Sequence, residues 1–158
     1  MTSADLFERL SFHHFPITHR ATTRWSDNDM YGHLNNAVYY ELFDAAINSW
    51  IARHSQILFT NATTIGVVAE SGCRFHASAA FPGDVTVGVA VRRLGRSSVT
   101  YRLALFPAKK PAPDDLPSAT GHWVHVYVDR ATGETVEVPA TVREVIAASI
   151  TAPPPAIA

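Results

Sequence analysis

The sequence predicts an α+β fold in which one long helix packs against an antiparallel sheet, and two patterns carry that reading. The first is a helical stretch from Ala37, where the apolar residues Val38, Leu42, Ala45, Ala46, Trp50 and Ile51 recur at three- and four-residue spacings and so share one stripe of a helix. The second is the series of β-rich segments that follows: Thr64 to Ala77, Asp84 to Arg93, Ser97 to Phe106 and His122 to Asp129. The turns Pro82-Gly83-Asp84 and Leu94-Gly95-Arg96 are too short for a parallel crossover, so these neighbours pair antiparallel. A lone helix followed by a strand meander buries its apolar stripe against that sheet.

Ahead of the helix, Phe15 to Trp25 carries Ile17, Thr18, Thr22, Thr23 and Trp25, a composition that reads as a first strand. The polar stretch Ser26 to Asn36 interrupts it. Asn35 or Asn36 is placed to cap the helix, because a short amide side chain accepts from the N–H groups of the first turn. Further on, Lys109 to Ser118, with its prolines, reads as a surface loop. Ala131-Thr132-Gly133-Glu134 reads as a hairpin turn into a last strand ending at Val138, and Thr141 to Ala148 as a terminal helix. One domain is expected over residues 1–150, with residues 151–158 as a flexible tail.

Composition narrows the function. The chain has 158 residues, 47% of them hydrophobic, enough for one sizeable core. Thirteen Lys and Arg nearly balance fourteen Asp and Glu for a net charge of -1, so nothing global favours nucleic acid or an anionic membrane, and any anion site must be local. Charged or polar residues interrupt every apolar run before it reaches membrane-spanning length. The single cysteine, Cys73, cannot form an intrachain disulfide, and the N-terminal residues lack a secretory pattern. A reducing cytoplasm is the expected compartment.

The densest polar cluster, Asp27-Asn28-Asp29-Met30-Tyr31-Gly32-His33-Leu34-Asn35-Asn36, lies between the first strand and the helix. Loops at the mouth of a rigid scaffold concentrate function, and a helix N-terminus offers unpaired N–H donors and a positive dipole end to a developing oxyanion. A carboxylate and an oxyanion site would therefore meet here. The plainer alternative is that Asp27, Asp29 and the asparagines only make turn and cap hydrogen bonds. Calcium fits poorly: Asp27-Asn28-Asp29 and Gly32 imitate half an EF-hand loop, but Tyr31 and Val38 stand where oxygen ligands are required.

Arg24 through Tyr40, with Asp27-x-Asp29-x-x-Gly32-His33-Leu34-Asn35-Asn36 and Tyr39, resembles the signature of the 4-hydroxybenzoyl-CoA thioesterase-like branch of the hotdog acyl-CoA thioesterases. The resemblance continues through Val67 to Phe75, Pro82 to Val85, Arg92 to Ser98 and Val124 to Asp129, nearly the whole chain. It implies a hotdog fold, hydrolysis of an acyl-coenzyme A without cofactor or metal, and a homodimer or homotetramer whose subunits join sheets edge to edge and build each site from two chains. It makes Asp29 the catalytic carboxylate, Asp27 a supporting residue, and the backbone N–H near Asn36 the oxyanion donor. Gly32, Asn35 and Tyr39 are implied as substrate-binding. His33 departs from members that carry an apolar residue there and takes a loop-ordering or substrate-contact role. The family's nucleotide contacts fall near the hairpin that bears Arg93, Arg96, Ser97 and Ser98. Such a turn is either a solvated charge cluster or a phosphate site, since guanidinium and hydroxyl groups match phosphate oxygens.

Other candidates read more plainly. His122 and His125 lie three apart on a strand and should face opposite sides, which argues against a shared metal. Cys73 reads as a small core residue, and Glu70, placed on a strand, is a weak candidate for the acting carboxylate. The same fold can also hold an acyl-CoA without turning it over, so a non-catalytic binding module is the alternative to hydrolysis. A hotdog hydratase would pair aspartate with histidine at another spacing.

Overall fold

The computed structural model describes residues 3–57 and 59–151. Its elements are α1 (Ser3–Leu6), β1 (Ile17–Thr22), α2 (Asn36–Ser55), β2 (Thr64–Phe75), β3 (Asp84–Leu94), β4 (Ser98–Phe106), β5 (Ala119–Asp129) and α3 (Ala140–Thr151). The strands form one antiparallel sheet in the order β1-β3-β4-β5-β2. It curls around α2 in the expected hotdog arrangement.

The helix begins where the capping chemistry said it would: the Asn35 side chain accepts from the Ala37 N–H at 2.9 Å. It ends at Gln56, whose left-handed φ of 56° breaks the ladder. The buried stripe is Tyr39, Phe43, Ala46, Ile47, Trp50 and Ile51. Relative to the expected stripe it is rotated by about one residue toward the aromatic side chains, because Tyr39 and Phe43 bury more apolar area than Val38 and Leu42. Val99, Tyr101, Leu103 and Leu105 of β4 alternate toward this helix, while Ala104 and Phe106 bury on the back of the sheet with Phe15.

Two expectations need correction. The first strand is shorter than Phe15 to Trp25, because Trp25–Asp27 turns into a 3-10 helix when the Asp27 carboxylate takes the Arg24 backbone N–H at 2.7 Å. The segment to Val138 is not a strand but a single bridge between Val128 and Thr135. After Val136 bonds Tyr127, Val138 donates instead to Arg96 O, so the chain leaves β5 to brace the β3–β4 hairpin before Pro139, which has no N–H to extend a ladder. Thr151 closes α3, and the rest of the expected tail lies outside the described residues.

His122 and His125 do face opposite sides. His122 Nε2 meets Glu70 Oε1 at 2.9 Å on the back of the sheet, near Phe7. His125 is 1% exposed and packs edge-on to Tyr101 in the core. Burial lowers the His125 pKa from 6.5 to about 4. As pH falls below 6.5 the unfolded chain takes up this proton while the folded protein does not until about 4. Stability is therefore lost over that window, by up to about 3 kcal/mol at 1.36 kcal/mol per pKa unit. Urea unfolding at neutral and acid pH should show this loss, and His125→Gln should flatten it.

Candidate active site

Two anchors, Asp27 and the half-buried Asn28, shape the loop between β1 and α2. Asp27, 4% exposed, binds the Arg24 side chain through Nε at 3.0 Å and Nη2 at 2.8 Å, and its backbone O takes the Asn35 N–H at 2.8 Å. The Arg24 guanidinium holds the Asp27 carboxyl below its ordinary pKa. Asn28 clamps the loop to a distant segment, accepting the Phe81 N–H at 3.0 Å and donating to Phe81 O at 3.3 Å. Between these anchors and α2 the chain makes a tight turn, with Asp29 N donating to His33 O at 2.8 Å. Gly32 completes it at φ 78°, which favours glycine.

Asp29 sits at the end of this turn. Its Oδ1 accepts the Tyr31 N–H at 2.8 Å, and among the described residues no donor is paired with Oδ2. At the start of α2, the Ala37 N–H goes to the Asn35 side chain and that of Val38 to Asn35 O. Among the described residues none accepts from the Asn36 N–H, which stays at the positive end of the helix dipole. Asp29, His33, Asn36 and Tyr39 line one cleft of about 320 Å³ with Phe75, His76 and Ser78. Tyr39 and Phe75 stack edge to face at 5.0 Å to make its apolar wall.

The structure thus brings Asp29, His33, Asn36 and Tyr39 together. Asp27, Gly32 and Asn35 stand behind them and shape the loop and cap. Arg93, Arg96, Ser97 and Ser98 lie elsewhere, because Ser98 pairs with Val126 toward the Thr64 end of β2, whereas the cleft is at the Phe75 end. Arg96 contacts Glu137 at 2.9 Å, both side chains well exposed. Glu70 is taken by His122 on the back of the sheet. Burial pushes the Cys73 thiol up to about 12, so it is no thiolate at neutral pH. A roomier groove of about 620 Å³, at the other end of α2 against α3, contains none of the candidate residues.

Sequence reasoning missed His76, and it placed Asn28 in the polar loop without its clamp on Phe81. His76 Nε2 meets Thr120 Oγ1 at 3.0 Å, and Thr120 gives its own proton to Phe7 O at 3.3 Å, so the imidazole is the donor and carries its proton on Nε2. Burial, with the charges of Arg9 and Arg74 behind it, lowers the His76 pKa and keeps the ring neutral. His76 lies in no motif, and Asn28 holds the unspecified place in Asp27-x-Asp29; each acts through a partner far along the chain. Among the described residues no group of three or more His, Cys, Asp and Glu side chains is placed to hold a metal ion.

Comparison with known proteins gives the family and agrees with the fold. The profile of the thioesterase-like superfamily matches residues 23–146. The PA5185 protein of Pseudomonas aeruginosa superposes with a TM-score of 0.82 at 37% identity, covering 89% of this chain and 95% of that one. A putative thioesterase of the same organism, PA2801, gives 0.73 at 28% identity, over 84% and 98%. A Thermus thermophilus thioesterase solved with coenzyme A and zinc gives 0.71 at 28% identity, over 88% and 97%. No curated protein matches the chain by sequence.

Proposed function

Because the chain belongs to the thioesterase-like superfamily, we propose that it hydrolyses an acyl-coenzyme A to a carboxylic acid and free coenzyme A, with Asp29 as the acting carboxylate. The observation that carries this reading is the convergence of an unpaired Asp29 oxygen and the unpaired Asn36 N–H on one cleft. The thioester carbonyl lies against the Asn36 N–H, which takes the charge that develops on oxygen, an effect of about 3 kcal/mol for one well-placed donor. Asp29 either attacks the carbonyl carbon, expelling the thiolate and leaving a mixed anhydride that water cleaves, or deprotonates a water that attacks directly. Both routes end in acid and thiol. Release of thiol from a panel of acyl-CoAs, followed with a thiol-reactive dye, tests the reading; a protein that binds acyl-CoA but frees no thiol would be a binding module instead.

The working unit is at least a homodimer. β2 is a twelve-residue strand with an unpaired outer edge, on which Val67, Val68 and Phe75 are 37%, 45% and 43% exposed. An edge this long and apolar would aggregate unless a second copy covered it. Sedimentation is expected to show a dimer or tetramer, and a fully active monomer at micromolar concentration would contradict it. Edge pairing also brings the hairpin of Arg93, Arg96, Ser97 and Ser98 toward the other copy's cleft, within reach of coenzyme A phosphates. The exposed Arg96 pair with Glu137 is weak enough to yield to them. Arg96→Ala should then raise KM for acyl-CoA about tenfold and leave an acyl-N-acetylcysteamine thioester, which lacks the phosphates, unchanged. Equal losses on both would indicate a folding defect.

A further inference from the structure

A second cavity, of about 290 Å³, lies between the far half of α2 and the Thr64 end of the sheet, and nothing in the reaction described above uses it. Ile51, Ile57 and Ile65 give it apolar walls, and Asn48, His125 and Tyr127 place polar groups among them. Gly66 keeps it open. A Cβ at this position would stand 3.3 Å from the Tyr127 ring and 3.4 Å from His125 Nδ1, so any larger side chain fills the space between them. Burial lowers the His125 pKa and raises that of Tyr127, so both are uncharged at pH 7. Arg130 also lines it, with its Nη1 bonded to the backbone carbonyls of Phe59 at 2.9 Å and Thr60 at 2.8 Å. With that guanidinium taken up by the backbone, the lining suits an apolar chain bearing an uncharged oxygen group.

The register of β2 relates this cavity to the cleft. Gly66 and Phe75 are nine residues apart, which in a regular strand would set them on opposite faces. The bulge between Val68 and Glu70 absorbs the odd residue: Gly66 pairs with Tyr127 and Phe75 with Ala119, positions eight apart on β5, so both face α2. Within one chain they stand about 27 Å apart along the strand, beyond the reach of a medium-length acyl chain. If β2 pairs antiparallel with its own copy along its whole length, Thr64 of one chain lies opposite Phe75 of the other. The cavity of each chain then adjoins the cleft of its neighbour.

We infer that the Gly66 cavity of one copy is the acyl-tail pocket for the Asp29 cleft of the other, and that it selects a tail with a hydroxyl or carbonyl group far from the thioester. The inference rests on the thioesterase reading and on β2 pairing. Its test is subunit complementation. Asp29→Asn disables a chain's cleft, and Gly66→Val blocks its cavity. Each homodimer should hydrolyse ω-hydroxyoctanoyl-CoA at least about tenfold more slowly than wild type. A dimer of one chain of each kind, isolated through two different tags, has one site with both an intact cleft and an open cavity. It should recover about half the wild-type rate. A mixed dimer no faster than the mean of its parents overturns the shared pocket. Wild type should also prefer ω-hydroxyoctanoyl-CoA over octanoyl-CoA about tenfold in kcat/KM, and equal values overturn the selectivity. Wild type inactive on every thioester overturns the reaction itself, whereas active wild type without recovery overturns only the pocket. Melting temperatures check that the variants fold; if Gly66→Val does not, Gly66→Ala takes its place, with a smaller loss and the same recovery.

Discussion

Asp29→Asn is expected to reduce acyl-CoA turnover at least about a hundredfold, the lower range for loss of a positioned base or nucleophile, with little change in melting temperature. The local geometry separates the two effects. Asparagine retains an oxygen for the Tyr31 N–H, bonded to Oδ1 at 2.8 Å, so the turn to Gly32 and His33 survives. Its amide can neither accept a proton nor attack a carbonyl at neutral pH. Asp27→Asn should behave in the opposite way. That carboxylate is 4% exposed and holds Arg24 through three contacts, so the substitution should cost about 1–3 kcal/mol of stability and affect rate less than Asp29→Asn does. Turnover and thermal unfolding measured on both variants distinguish the two roles.

The largest stability effect is expected at Phe43. It is 0% exposed and packs over Gly121 of β5: a Cβ on Gly121 would stand 2.7 Å from the Phe43 ring. Phe43→Ala removes a whole ring from a packed site that has little freedom to collapse, and should cost about 3–5 kcal/mol. That is a large share of the about 5–15 kcal/mol typical of a domain. Denaturant unfolding should register a correspondingly lower midpoint at unchanged slope. The effect bears on function because α2 carries the Asn36 N–H into the cleft, and a helix packed loosely on the sheet would not hold that donor in place.

Local chemistry made much of this legible in the sequence. An α2 cap at Asn35 or Asn36, strands from Thr64, Asp84 and, to within one residue, Ser98, and the polar loop that bears Asp29 all follow from periodicity, turn residues and capping, which act over a few neighbours. Features set by distant parts of the chain were not legible. Residue 28 clamps residue 81, His76 takes its tautomer from Thr120, and the order of strands leaves β2 at an edge. The segment to Val138 carries strand-forming residues but is drawn off to brace Arg96. The arginine hairpin was assigned to the site by resemblance, yet within one chain it stands at the far end of the sheet, a separation that only the strand register reveals. The bulge between Val68 and Glu70, which puts Gly66 and Phe75 on one face, likewise has no local signal.

The measurement that bears most directly on the central claim is thiol release from acyl-CoA by wild type, Asp29→Asn and Glu70→Gln, run side by side with folding checked for each. Glu70 is the control because its carboxylate is paired with His122 on the back of the sheet at 2.9 Å, away from the cleft. The account predicts multiple turnovers for wild type, a loss of at least about a hundredfold for Asp29→Asn, and near wild-type turnover for Glu70→Gln. Near wild-type turnover by Asp29→Asn, with loss in Glu70→Gln, would contradict it and move the catalytic carboxylate to the other face of the sheet.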